Sequence, residues 1–76
     1  MTNNRQQVRD YLDRIPRSSF WDVVSEAKIS DEDRIILDGK FIHGHSYQQI
    51  SGYVGLTEDG VKKRIAKIYD KIFKLL

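Results

Sequence analysis

The sequence predicts an all-α fold, a small five-helix domain, and three observations lead there. Apolar residues recur at the i, i+3, i+4, i+7 spacing of amphipathic helices, and no segment shows the period-two alternation of a half-buried strand. Serine, threonine, glycine and proline punctuate the ends of those segments, where helices start and stop. At 76 residues the chain makes one domain, with no room for a second core or an enclosed substrate cavity.

Each element follows in order. Val8, Tyr11, Leu12 and Ile15 share one face of a first helix, which Pro16 ends because proline disfavours helical geometry in the residue before it. Ser18 or Ser19 is expected to cap a second short helix with Phe20, Val23, Val24 and Ala27 inward and Trp21 on a flank. Ser30 restarts the chain, and the acid run Asp31, Glu32, Asp33 suits the positive end of a third helix. That helix turns Ile36, Leu37, Phe41 and Ile42 inward and is expected to stop at Gly44, which reaches left-handed geometry at little cost. Ser46 caps a fourth helix with Tyr47, Ile50 and Val54 on its buried side, and Gly55 ends it. Thr57 caps the fifth and longest, whose stripe of Val61, Ile65, Ile68, Ile72 and Leu75 is expected to run to the C-terminus. Residues 1–29 thus supply two N-terminal helices and residues 30–76 a second unit of the same domain.

Composition narrows the classes of function. Cysteine is absent, which excludes disulfides and thiolate metal sites. The opening MTNNRQQVRD lacks the apolar run of a signal peptide, and nothing approaches the roughly 20 apolar residues of a bilayer span. The expectation is a soluble, cytoplasmic protein without a membrane partner. Net charge is +2, but it is unevenly spread: residues 1–45 carry seven Lys/Arg against eight Asp/Glu, and residues 46–76 carry six against three. The positive field lies in the C-terminal third.

Only Gly55, Leu56 and Thr57 separate the fourth and fifth helices. A connection that short makes two helices cross steeply, as in a helix-turn-helix, whose second helix enters the DNA major groove. The run "GHSYQQISGYVGLTEDGVKKRIAKIYDKI" resembles the fourth region of bacterial sigma factors and, nearly equally, the DNA-binding domain of LuxR-type regulators. The resemblance rests on Gly44, Ser46, Ile50, Ser51, Val54, Gly55, Leu56, Thr57, Val61 and Lys62 and extends over about residues 30–76. It implies a double-stranded DNA partner, with RNA polymerase or another regulator as a further or alternative one. Three positions depart from it: Ser51 replaces the usual alanine, Gly39 the usual core leucine, and Gly60 a position that ordinarily bears a side chain. Residues 1–29 match neither family, and the chain is too short to be a complete sigma factor.

A helical wheel then nominates contacts. Ile65, Ile68 and Ile72 fall within about 40° of Val61, while Asp59, Lys63 and Lys67 point the opposite way. Only the first turns of a recognition helix, here 58–75, reach base edges, which makes Asp59 and Lys63 base readers with Lys62 alongside. Lysine donates to guanine N7 and O6, and a carboxylate accepts from cytosine N4. Arg64 and Lys67 suit phosphates, as do Ser46, Tyr47 and Gln48 at the start of the fourth helix. Thr57 and Gly60 complete the surface facing the groove.

Against these stand plainer roles. Glu58 and Asp59 also complement the helix dipole, and the lysines also suit a solvated face. His43 and His45 have no third ligand at metal-binding spacing, and no nucleophile, base and orienting group form a catalytic set. The sequence therefore predicts no enzyme and no cofactor. It leaves two functions: a sequence-specific DNA-binding transcription regulator, monomeric or a homodimer, or a protein-interaction module of the transcription machinery on the same fold.

Overall fold

Asn3 opens the first helix: its side chain accepts the Gln6 amide at 2.7 Å, and α1 runs Asn4–Arg14 with Val8 and Leu12 buried. In this computed structural model, which describes residues 3–76, 77% of the described residues are helical and none lies in a strand. Ile15 leaves α1 in extended geometry, as a residue before proline must.

α2 (Arg17–Glu26) starts earlier than a serine cap would place it. Pro16 itself holds the cap position at φ −61°, and its carbonyl accepts the Phe20 amide at 2.9 Å. The ring presets φ, so the helix begins without the hydroxyl of Ser18 or Ser19. Phe20 and Val24 are buried, and Phe20 meets the edge of Trp21 with ring centroids 5.0 Å apart. Beyond Glu26 the chain turns through Lys28 at φ 53°, the left-handed position that glycine usually fills. Lysine there costs about 1 kcal/mol.

α3 (Asp31–Leu37) is capped by Ser30, whose hydroxyl accepts the Asp33 amide at 3.2 Å. The helix does not continue regularly to Gly44. Asp38–Ile42 widen into a π turn, closed by the His43 amide on the Asp38 carbonyl at 3.1 Å, and Phe41 and Ile42 end half-buried. Gly44 at φ 67° then reverses the chain, while the His45 amide reaches back to the Gly39 carbonyl at 2.8 Å. Gly39 is buried here for a definite reason. The Tyr53 hydroxyl occupies the space a Cβ would need, and Ile50 closes in from the side at 3.2 Å. The space that a side chain at position 39 would take is thus filled from α4.

α4 (Tyr47–Val54) has a complete capping box: Ser46 Oγ accepts the Gln49 amide at 3.1 Å, and Gln49 Oε1 accepts the Ser46 amide at 2.8 Å. Gly55 ends it in left-handed geometry, φ 74°. α5 (Glu58–Phe73) is capped by Thr57, whose hydroxyl accepts the Gly60 amide at 3.0 Å.

α5 is the element the others pack around, touching α1, α3 and α4. Val61, Ile65, Ile68 and Ile72 are buried as expected, joined by Tyr69, which the stripe omits. Leu75 is not part of that stripe. The regular helix stops at Phe73, and Leu75 and Leu76 are 44% and 56% exposed, with Leu76 at the rim of an open groove beside α1. The radius of gyration, 11.7 Å, is close to the roughly 11.4 Å of a compact domain of this length, so the core is closed despite the π turn.

Candidate nucleic-acid interface

The α4–α5 junction is built from local rules that agree with one another. Gly55 supplies the positive φ, its amide donates to the Ser51 carbonyl at 3.2 Å, and Leu56 tucks half-buried beneath the turn. Three residues intervene between the helices, 55–57, as the spacing implies. With Val61 and Ile65 fixed in the core, the opposite side of α5 faces solvent and carries Asp59, Lys63 and Lys67, all exposed. None of these three side chains has a hydrogen-bond or ion-pair partner among the described residues.

The other cations are differently employed. Lys62 is exposed but lies 3.8 Å from Glu58, one turn back, and its ammonium sits 5.7 Å from the Tyr47 ring centre. Arg64 is tied down. Its Nη1 donates to Asp33 at 3.0 Å and to Glu32 at 2.9 Å, and the Asp33 carboxylate is largely buried. The hydrogen bond to Asp33, then the charge of Glu32, hold the Arg64 pKa above its ordinary value. A charged-pair hydrogen bond to a buried carboxylate is a strong contact, and losing it leaves Asp33 uncompensated. The phosphate contact expected of Arg64 competes with this link between α3 and α5.

Tyr47 is half-buried at the start of α4, with the Lys40 ammonium 4.9 Å from its ring centre on one side and Lys62 on another. The capping box uses the amides of Ser46 and Gln49, so those of Tyr47 and Gln48 are the ones left for an anion. Lys40 comes from the π turn. No helical spacing connects it to residues 46–67, so sequence reasoning missed it; the cation–π geometry is a product of the tertiary fold.

Gly60 acquires a local explanation. A Cβ there would lie 3.1 Å from Thr57 Oγ1 and 3.5 Å from the Leu56 Cβ, so the position is tight against the cap and the turn. Gly52 differs: nothing lies within 4 Å of where its Cβ would be.

His43 and His45 stack with ring centroids 5.4 Å apart; His43 pairs with Asp38 at 3.0 Å and His45 Nδ1 lies 3.2 Å from the Tyr53 hydroxyl. Among the described residues no three His, Cys, Asp or Glu side chains group as metal ligands would. Among the described residues no helix is long and apolar enough to cross a membrane.

No family model, curated protein or solved structure matches the chain. The expected likeness to sigma region four and LuxR-type regulators therefore rests on residue spacing alone, and a functional reading rests on the geometry of the α4–α5 surface.

Proposed function

We propose that α4 and α5 form a helix-turn-helix and that the protein is a sequence-specific, double-stranded DNA-binding transcription regulator. The supporting observation is the outward face of α5, where Asp59, Lys63 and Lys67 stand free beside a three-residue turn whose caps fix the helix start. Asp59 and Lys63 read base edges, with Lys62 beside them; Lys67, Ser46, Tyr47 and Gln48 hold phosphates. Arg64 positions α5 through Asp33 rather than meeting the backbone. Residues 30–76 form the DNA-binding unit, and α1 and α2 complete its core.

A second reading is a protein-interaction module for RNA polymerase or another regulator. It is favoured by the exposure of Ile35 at 51% beside Trp21, and of Leu75 and Leu76. Fluorescence anisotropy with mixed duplex DNA separates the two. A DNA reader loses affinity steeply as salt rises, because bound Lys and Arg release counterions, with a log–log slope of about −0.9 per phosphate contact. Lys63→Ala weakens binding unevenly across sequences, and Lys67→Ala weakens it uniformly. Absence of salt-dependent binding overturns the DNA reading in favour of the second. Selection from a random duplex pool reports the operator, and a palindrome with half-sites about one helical turn apart reports a homodimer.

A further inference from the structure

Two helix starts that lie far apart in sequence open onto one cleft. It has a volume of about 320 Å³ and is lined by Asn3, Arg5, Gln6, Arg9, Tyr47 and Tyr69. Two of these are cations and none is a carboxylate. The first turn of α1 forms one wall, Tyr47 at the first position of α4 the other, and α5 lies beneath. Each helix start carries about half a positive charge, so both dipoles favour an anion here. The Asn4 and Arg5 amides of α1, like those of Tyr47 and Gln48, have no acceptor among the described residues.

The arginines divide the work. Arg5 is fixed by two hydrogen bonds to Asp70, at 3.1 and 3.0 Å, which balance its charge. Among the described residues Arg9 has only a 3.5 Å contact with the adjacent Asp10, and it is about half exposed, so its guanidinium can turn into the cleft. The second observation is Tyr69. It is 6% exposed, and its hydroxyl has no hydrogen-bond partner among the described residues. A buried donor without an acceptor costs about 1–3 kcal/mol, so an arriving acceptor would offset an existing penalty. Burial pushes the Tyr69 phenol well above the ordinary tyrosine value, and the next influences come from Tyr47 and Arg9, the neighbours that share the cleft. The group stays protonated, and a donor, at neutral pH.

We propose that this cleft seats a phosphate group, with Arg9, Gln6 and the Tyr69 hydroxyl donating to its oxygens, and that in the DNA complex this is a backbone phosphate flanking the groove entered by α5. The second half rests on the DNA-binding reading. It makes α1, which resembles nothing in the two families, part of the interface.

Inorganic phosphate titrated into the full chain at constant ionic strength, followed by amide and tyrosine-ring NMR shifts, tests the seat. The expected result is saturable shifts at Gln6, Arg9, Tyr47 and Tyr69, weakened about fivefold in Arg9→Gln and in Tyr69→Phe. Tyr69→Phe should at the same time unfold at equal or higher denaturant, because it removes a buried unpaired hydroxyl; a purely structural tyrosine would give that gain with phosphate affinity intact. No saturable shifts, or equal affinity in both variants, overturns the seat. Duplex titrations test its source: Arg9→Gln should reduce the salt slope by about 1. An unchanged slope in a chain that binds duplex overturns the backbone assignment and leaves the regulator reading standing. A chain that binds phosphate at the cleft but no duplex overturns the regulator reading and the backbone source together, while supporting the seat.

Discussion

The two junctions on either side of α4 contrast sharply. The one that follows it, residues 55–57, is three residues long, regular, and closed by the Gly55 backbone on the α4 side and by the Thr57 side chain on the α5 side. The one that precedes it, residues 38–46, passes through a π turn, a left-handed glycine and a stacked histidine pair. Both bring α4 to its place, but by different physics. In the later junction every hydrogen bond is local in sequence; in the earlier one the decisive contact is Tyr53 of α4 filling the space over Gly39. A junction set by local contacts can tolerate a change elsewhere, whereas one set by a distant side chain cannot.

The largest expected effect breaks the earlier junction. Gly39→Ala drives a Cβ into the Tyr53 hydroxyl and crowds Ile50, an overpacking that costs about 1–3 kcal/mol in urea unfolding. In a Tyr53→Ala background the same substitution should cost less, because the obstructing phenol is gone; equal costs in both backgrounds would remove Tyr53 as the cause. The caps come next. Thr57→Ala and Ser46→Ala each remove an oxygen that accepts a helix amide and should each cost about 1 kcal/mol. Under the proposed DNA-binding function Thr57→Ala ought also to weaken duplex binding, since it loosens the start of α5.

Smaller effects sharpen the same contrast. Gly52→Ala adds a methyl to open space on an exposed face and should stabilise by about 0.5–1 kcal/mol. Gly60→Ala should gain less than Gly52→Ala, because its Cβ presses the Thr57 hydroxyl and part of the helix-propensity gain is given back. Comparison of the two denaturation midpoints checks this ordering. Alkaline pH gives a further, gradual loss. The Tyr69 pKa is raised by burial, so its contribution is fully present below the ordinary tyrosine value of 10.0 and is lost as pH rises above it. Urea midpoints from pH 8 to 11 should therefore fall less steeply in Tyr69→Phe than in the parent chain.

The same division decides what could be read from residues alone. Ser30, Ser46 and Thr57 announce their helices because each cap acts on an amide three residues on, and Val61, Ile65, Ile68 and Ile72 follow a fixed period. Asp59, Lys63 and Lys67 are exposed, as the wheel places them. The early start of α2 was hidden because proline's fixed torsion replaced the hydroxyl that a cap usually needs. The π turn, the half-burial of Phe41 and Ile42, and the Lys40 contact with Tyr47 depend on partners far along the chain, to which periodicity is blind. Tyr69 shows the limit of the wheel itself: it lies off the stripe, about 80° from Val61, yet is buried among its neighbours.

The bond from Arg64 to Asp33 and Glu32 has a consequence for any salt titration. Added ions screen the partly exposed pair that holds α5 against α3. Under the proposed DNA-binding function, ionic strength therefore acts on two equilibria at once, the set of the helix and its attachment to a duplex. A plot of log affinity against log salt should bend downward at high salt in the parent chain, where both are failing. In Arg64→Met, which has already lost the ion pair, the line should start lower and run straighter.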